Sequence, residues 1–304
     1  MLGSARELSM QAPSPRRKLS GAQAGIPPRH VDFQFPAQAP RHFFFDGNPA
    51  ASSIFAVFSG IFPPGERFFV ESVRRFRDRI DDPELKARVS GFIGQEALHG
   101  REHERLNAWF AERGIDTGPS ERRVKWALRQ LERFSPEQQL ACTTMMEHFT
   151  AILAELWLTD EEFRSKADPE MLKLWSWHAL EELEHKSVAY EVYEKVGGGD
   201  RERRRATTLV AIFLLPGILA SWVELSLRGG ALRDPREFYR GLVALLGRRG
   251  FITRVLRKLP FYWRDGFHPS RHDTRALEAR VREQLFGEGG ELREQWKNRE
   301  ALAA

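Results

Sequence analysis

The sequence predicts an all-α protein, built as a four-helix bundle with additional C-terminal helices. Apolar residues recur every three or four positions beyond residue 45, and almost no segment alternates apolar and polar residues as a half-buried strand does. Prolines and glycines divide this pattern into helix-length segments with short connections, which are typical of neighbouring helices in a bundle. The 304 residues, 41% of them apolar, are enough to bury a sizeable core.

The first two predicted helices are delimited by proline and glycine. The first region starts near Ala50, is interrupted at Pro63-Pro64 and continues to Ile80. The second starts at Asp82-Pro83, where the missing proline N–H costs nothing in the first turn, and it ends near Gly114.

Three more helices complete the predicted bundle, which we assign to residues 46–200. A short helix is expected over 120–133, and the capping-box sequence Ser135-Pro136-Glu137-Gln138 opens a helix that ends near Leu158. Asp168-Pro169 opens the next helix, which ends at the three glycines 197–199.

The segments on either side of the bundle differ from it in composition. Residues 1–45 contain no continuous apolar stretch and are predicted to be a disordered N-terminal tail of a cytoplasmic protein. Residues 201–304 are apolar and basic, with 16 basic and 6 acidic residues between Arg201 and Arg275. The single cysteine, Cys142, excludes a disulfide scaffold and a thiolate zinc site, so any metal must be held by oxygen and imidazole.

Two Glu-x-x-His motifs carry the strongest chemical signal. They are Glu96-Ala-Leu-His99 and Glu182-Leu-Glu-His185, each near the middle of a predicted helix. Residues three apart share a helix face, so each motif presents a carboxylate and an imidazole to one point. His103 lies on the same helix face as the first motif, and His178 lies on the same face as the second. Apolar residues continue both faces along their helices, so these polar groups lie on faces that should be buried.

Two more carboxylates occupy apolar faces on the remaining bundle helices. Glu66 shares a face with phenylalanines and valines, and Glu147 shares one with mostly small residues. Unpaired carboxylates in a core are costly, so four of them at one point require cations or protons. The alternative for Glu66 and Glu147 is pairing with an arginine such as Arg67 or Arg74.

The order Glu, Glu-x-x-His, Glu, Glu-x-x-His resembles the ferritin-like dimetal-carboxylate bundles. The resemblance implies that Glu96 and Glu182 bridge or chelate two metals, that His99 and His185 each cap one, and that Glu66 and Glu147 are terminal ligands. His103 and His178 exceed this pattern and either bind metal, as in His-rich dimetal oxygenases, or hydrogen-bond to a ligand. Glu181 is an alternative to Glu182, whereas Glu184 lies off this face and is expected to be solvated.

Several stretches between residues 50 and 270 also resemble a bacterial family labelled predicted metal-dependent hydrolases. The stretches are Phe62-Pro-Pro-Gly-Glu-Arg-Phe-Phe69, Gly94-Gln-Glu-Ala-Leu-His99, Glu147-His-Phe-Thr-Ala151, Trp177-His178 through Ala189, and Gly266-Phe-His-Pro269. Each stretch is short, but together they form a specific set.

Structural roles are expected for three other histidines. His148 points away from Glu147, and His268 and His272 are expected to cap a helix or to pack against neighbouring side chains.

The leading functional hypothesis is a non-haem dimetal enzyme, with two iron ions and with manganese or zinc as alternatives, that uses O₂ to oxidise an apolar small molecule. It requires an external electron donor. The alternative hypotheses are hydrolysis by a metal-activated water and a non-catalytic metal-binding protein.

The uncharged segment Ala206–Val223 has three possible interpretations. A membrane span is disfavoured by its length and its Pro-Gly pair; a buried helix and a surface helix or lid that contacts the membrane or an apolar substrate remain. The basic residues favour anionic lipid at the inner membrane face as a partner, and no nucleic-acid-binding motif is present. A charged helix is expected over 275–299.

Overall fold

The computed structural model describes residues 19–36 and 47–303, and within them it confirms the all-α prediction. These residues contain no β-strand, only an isolated antiparallel bridge between Val31 and Trp296. The α-helices are α1 (Pro49–Arg74), α2 (Pro83–Glu112), α3 (Gly118–Leu131), α4 (Pro136–Thr159), α5 (Glu161–Arg164), α6 (Pro169–His185), α7 (Val188–Lys195), α8 (Asp200–Arg228), α9 (Pro235–Leu246), α10 (Phe251–Lys258), α11 (Arg275–Phe286) and α12 (Arg299–Ala303).

Helices α1, α2, α4 and α6 surround a common buried centre, which is consistent with the predicted four-helix bundle. Each of the four begins with a capping side chain followed by proline, and the caps are Asn48, Asp82, Ser135 and Asp168. Ser135 forms the predicted capping box with Gln138. The other helices pack around this bundle: α3 against α1, α11 against α6, and α10 against α4 and α9.

Several helix boundaries differ from the predicted ones, and α1 ends at Arg74 rather than continuing to Ile80. Pro63 and Pro64 do not interrupt α1, because the Asn107 side chain donates to the Ser59 carbonyl at 2.9 Å and replaces the bond that Pro63 cannot make. The helix predicted from 168 to 197 divides into α6 and α7 at residues 186–187. The helix predicted over 275–299 ends at Phe286, where Gly287 follows in an extended conformation.

Residues 19–36 also differ from the prediction of a disordered tail over 1–45. They lie against the bundle with Ile26, Val31 and Phe33 buried. The chain crosses α2 where that helix carries Gly91 and Gly94, and a Cβ at these positions would come within 2.4 Å of the Ile26 carbonyl and 2.5 Å of Pro28. Local composition did not reveal this segment because its partners lie far away in sequence. Residues 1–18 and 37–45 lie outside the described residues.

Helix α8 packs along the bundle, against α1, α3 and α4, rather than inside it. One face carries buried residues such as Leu214, Trp222 and Leu225, while much of the remaining surface is exposed. Of the helices described, it alone is long and apolar enough to cross a membrane by length and composition, and only 28% of its most apolar 18-residue window is buried.

Candidate metal centre

The four bundle helices bring the six predicted metal ligands into one buried cluster. α1 supplies Glu66, α2 supplies Glu96 and His99, α4 supplies Glu147, and α6 supplies Glu182 and His185. All six side chains are almost completely inaccessible to solvent. The acidic and imidazole side chains that the sequence predicts to converge from four helices thus lie together in the structure.

One half of the cluster is centred on His185. Its Nε2 atom lies 3.1 Å from Glu96 Oε1, 3.6 Å from Glu147 Oε2 and 3.6 Å from Glu182 Oε1. Ligand atoms of Glu96, Glu147 and His185 all lie within 4.8 Å of one another, as the ligands of a single ion would.

The other half contains His99 and His178. His99 Nδ1 lies 3.6 Å from Glu182 Oε1, and His178 Nε2 lies 3.0 Å from the same oxygen and 3.9 Å from Glu66 Oε1. Glu66, His99 and His178 form a second group of neighbouring ligand atoms, and Glu96, His99 and Glu182 form a third. Glu182 Oε1 therefore stands between the two halves and faces three imidazoles.

Most ligand atoms in the cluster have no hydrogen-bond partner among the described residues. These atoms are both carboxylate oxygens of Glu66, Glu96 and Glu147, Glu182 Oε2, His99 Nδ1 and His185 Nε2. Leaving a buried polar atom unpaired costs about 1–3 kcal/mol, and more for a charged group. Carboxylate oxygens and imidazole nitrogens directed at one buried space are suitable ligands for divalent metal ions. Bound ions would offset the cost of burying these atoms without hydrogen-bond partners.

Burial and mutual repulsion raise the pKa of three of the carboxyls. For Glu66 and Glu96 the main cause is desolvation, to which neighbouring carboxylates add, and Glu147 is affected in the same way. Glu182 differs: burial opposes its ionisation, but contacts with His185, His178 and His99 hold its pKa well below the usual value. Burial likewise opposes protonation of His99, yet its contacts with Glu181 and Glu182 raise its pKa to about 10. The site thus favours positive charge at its centre.

A buried carboxylate outside the cluster fixes the orientation of His99. The Nε2–H of His99 donates to Glu181 Oε2 at 3.1 Å, which leaves Nδ1 directed at the cluster. Glu181 accepts from Arg29 in turn, through the guanidinium at 3.1 Å and the backbone N–H at 3.3 Å. The sequence offers Glu181 as an alternative ligand to Glu182, but its position beside His99 and Arg29 suits a residue that orients His99.

His185 is oriented through a parallel set of contacts. Its Nδ1–H donates to Gln95 Oε1 at 2.9 Å, so Nε2 faces the cluster. The Gln95 amide donates to Glu184 at 3.0 Å and to the Pro27 carbonyl at 3.2 Å. Glu184, expected to be solvated, is buried because it forms a bidentate ion pair with Arg29 at 2.8 Å. One arginine therefore supports the orienting partners of both motif histidines.

Hydrogen-bond directions identify the free nitrogen of His178. Because the Asn107 amide N–H donates to the Ser59 carbonyl, its Oδ1 accepts from the Ser59 hydroxyl at 2.8 Å. The hydroxyl then accepts from His103 Nδ1 at 3.1 Å, and His103 Nε2 accepts from His178 Nδ1 at 2.7 Å. This sequence of bonds leaves a lone pair on His178 Nε2, which lies 3.0 Å from Glu182 Oε1, and two acceptor atoms at this distance require a proton or a cation beside them.

The two additional histidines thus occupy different positions. Burial lowers the pKa of both imidazoles, that of His178 to about 4, so both are neutral. His178 belongs to one of the groups of neighbouring ligand atoms, whereas His103 lies one hydrogen bond farther out and contacts Ser59. The sequence allowed either histidine to bind metal or to hydrogen-bond to a ligand. In the structure, His178 lies among the candidate ligand atoms and His103 lies behind it.

The alternative pairings do not occur. Arg67 pairs with Glu104 and Arg74 pairs with Glu71, both at the surface, so neither approaches Glu66 or Glu147. Of the remaining histidines, His148 stacks on Tyr262, His268 packs against Tyr190, and His272 contacts Glu155.

A small cavity adjoins the cluster between α1, α4 and α6. Its volume of about 20 Å³ is room for about one water molecule. It is lined by Phe55, Phe62, Thr150, Leu153, Ala154, Trp157, Trp175, His178, Ala179 and Glu182. On the opposite side, Gly100 of α2 allows the Glu66 carboxylate to lie close to the α2 backbone, since a Cβ at position 100 would lie 3.2 Å from Glu66 Oε2. The centre is thus nearly filled by its own side chains.

Sequence reasoning missed the residues that orient the ligands, chiefly Arg29, Gln95, Ser59 and Asn107. Gln95 and Asn107 lie on α2 with the motif, and the Glu181/Glu184 spacing on α6 provides a second buried acidic pair. This acidic pair could have indicated the missing arginine, because two buried carboxylates outside the cluster require a cationic partner.

A family model described as predicted metal-dependent hydrolase matches residues 27–273. The matched range includes every residue of the cluster and begins beside Arg29. No curated protein and no solved structure matches the chain significantly.

Proposed function

The chain belongs to the family of predicted metal-dependent hydrolases, and from that premise we propose that it hydrolyses its substrate at a dinuclear carboxylate/histidine centre. This replaces oxidation, the leading hypothesis from sequence, because the family description supports hydrolysis. The observation that carries the proposal is the convergence of unpartnered carboxylate oxygens and imidazole nitrogens on one buried space.

The two halves of the cluster suggest a division of ligands between two ions. Glu96, Glu147 and His185 would hold one ion, and Glu66, His99 and His178 would hold the other, with Glu182 shared. His103 remains outside as the hydrogen-bond partner of His178. Zinc, manganese and iron all accept this donor set, so its composition leaves the metal open.

Metals bound there would lower the pKa of a coordinated water and make it nucleophilic near neutral pH. Burial and the neighbouring Glu96 raise the pKa of Glu66, so this carboxylate accepts a proton more readily than an exposed glutamate does. Glu181 and Gln95 keep His99 and His185 in fixed tautomers, and the buried walls exclude bulk water.

The cavity beside Glu182 and His178 indicates an apolar substrate group. Its lining is mostly aromatic and aliphatic, and its size admits only a very small molecule. A larger substrate must displace rings such as Phe62 or Trp175, which line the cavity with their centroids 5.9 Å apart.

O₂-dependent oxidation is a second candidate, and the small apolar cavity next to a buried His/Glu cluster is the observation that favours it. It requires two iron ions and an external electron donor. An apolar pocket protects oxidising chemistry from water, whereas hydrolysis needs water in the same place.

The two candidates are separated by loading metal-free protein with zinc, manganese or iron and assaying esters and phosphoesters under argon. We expect about two metals per chain and hydrolytic turnover without O₂, both lost in Glu96→Gln. Glu104→Gln is the matched control, because Glu104 lies exposed on the same helix.

O₂ consumption by the reduced iron form without hydrolysis would transfer the assignment to oxidation. Stoichiometric metal with neither activity would leave a structural metal site. Failure to bind any of the three metals would overturn both enzymatic proposals.

A further inference from the structure

A row of exposed apolar side chains runs along α8. This apolar stripe consists of Ile212, Leu215, Leu219, Val223 and Leu227, whose spacing of three and four residues places them on one helix face. Each is between 42% and 60% exposed. Isolated exposed leucines are common, but a contiguous apolar row of several helical turns marks an interaction surface.

The rest of α8 is held firmly by the bundle. Trp222 is buried and its indole N–H donates to the Ala50 carbonyl at 2.9 Å. Arg123 of α3 donates to Ser221 at 3.1 Å and pairs with Glu224. The stripe is therefore presented by a fixed helix, and it needs a partner from outside the described chain.

The part of the chain that contains α8, α9 and α10 has a strongly basic surface. Between residues 201 and 265, ten arginines are exposed against two exposed acidic residues, Asp234 and Asp265. The exposed arginines are Arg201, Arg205, Arg228, Arg233, Arg236, Arg240, Arg248, Arg249, Arg257 and Arg264. Within the described residues no ion pair involves Arg248, Arg249 or Arg257. Such a surface attracts anions and repels a second copy of itself.

We propose that the apolar stripe and these arginines form a docking surface for an anionic phospholipid membrane. Leucine and isoleucine side chains enter the headgroup and acyl boundary, and arginines contact lipid phosphates. α9 repeats the pattern with exposed Tyr239, Val243 and Leu246. This inference is independent of the reaction at the metal centre.

The geometry places α8 along the membrane surface rather than across it. A spanning α8 would carry its neighbour α3 into the hydrocarbon, with the exposed Arg122, Lys125 and Arg129. Charged side chains at that depth are strongly disfavoured. Lying in the interface, α8 can insert the stripe while the bundle remains in water.

The test is flotation of the full-length, metal-loaded protein with vesicles of phosphatidylcholine alone or with 30% phosphatidylglycerol. We expect binding to the anionic vesicles that falls at least tenfold at 1 M salt, where the screening length is about 3 Å. Leu215→Glu/Leu219→Glu should reduce binding at least tenfold, while Leu19→Glu, which is similarly exposed, should not.

Arg248→Glu/Arg249→Glu should also weaken binding about tenfold, and the control Arg280→Glu/Lys297→Glu should leave it unchanged. Metal content serves as the fold check and should be the same in every variant.

Absence of vesicle binding by the unaltered protein overturns the proposal. Equal binding to neutral vesicles overturns the anionic preference. A concentration-dependent dimer that Leu215→Glu/Leu219→Glu dissolves, without vesicle binding, assigns the surface to a second copy and also overturns it.

Discussion

The metal-centre cluster and α8 depart from the usual distribution of polar and apolar residues in opposite directions. The cluster buries polar atoms of four carboxylates and two imidazoles that lack hydrogen-bond partners, whereas α8 exposes a row of aliphatic side chains. Each arrangement is costly in isolation. This difference underlies our two proposals, that cations complete the cluster and that an apolar, anionic surface covers the exposed row on α8.

Removing the metal is the sharpest way to test the first half of this comparison. A ligand present at about a thousand times its Kd stabilises the folded state by about 4 kcal/mol. Because each kcal/mol moves the Tm of a domain of this size by about 2–4 °C, chelation should lower the Tm by about 10 °C. Calorimetry of loaded, stripped and reloaded protein measures the change; an unchanged Tm would contradict a bound metal in the core.

Arg29→Leu should give a comparable loss of stability. It leaves the buried Glu181 without an arginine and Glu184 with Arg282 alone, and breaking a buried pair in this way costs about 3–5 kcal/mol of unfolding free energy. Metal affinity should also fall about 10–100-fold, because the partners of His99 and His185 lose their anchor.

Arg67→Leu is the control for this variant, since its pair with Glu104 is exposed and contributes at most about 1 kcal/mol. Urea unfolding and metal titration of both variants provide the comparison. Equal losses in the two would show that position 29 has no special role.

Asn107→Leu should have a smaller effect, confined to the His178 half of the cluster. Without Asn107 Oδ1, the Ser59 hydroxyl can donate to His103 and reverse the tautomers of both imidazoles. We expect about tenfold weaker metal binding. The ¹⁵N shifts of the His178 ring should report the changed tautomer, while Gln130→Leu, on α3, should leave them unaltered. Identical His178 shifts in both variants would contradict the inferred bond directions.

Leu219→Ser, in the exposed row of α8, should have the smallest effect on the stability of the protein. Leu219 is 60% exposed, so its loss should change the unfolding free energy in solution by less than about 0.5 kcal/mol. Phe92→Ala removes a fully buried ring and should cost about 3–5 kcal/mol. Chemical unfolding without lipid measures both; a large loss for Leu219→Ser would mean that the stripe packs within the protein.

Local patterns in the sequence were sufficient for the helices and for the convergence of the ligands. Periodicity placed Glu66, Glu96, Glu147 and Glu182 on the faces that pack together, because helix geometry fixes those faces within a few residues. The order of these motifs along the chain also predicted a ferritin-like bundle, and the four helices around the cluster are consistent with it.

What the sequence did not reveal depends on contacts between distant residues. Arg29 and Glu181 are separated by 152 residues, and nothing near Arg29 indicates its partner. The continuity of α1 through Pro63 depends on Asn107 of another helix. The ligand assignments, the substrate and the membrane contact stay predictions, since they depend on components outside the chain.

The contact between Arg29 and α6 also sets an order of events during synthesis. At about 5–20 residues per second, roughly 8–30 s separate the translation of Arg29 from that of Glu181. Until α6 emerges, the side chains on α1, α2 and α4 lack Glu182 and His185, and His99 lacks the carboxylate that fixes its tautomer. In the proposed centre, the full set of candidate ligands is therefore available to an ion only after α6 has been synthesised.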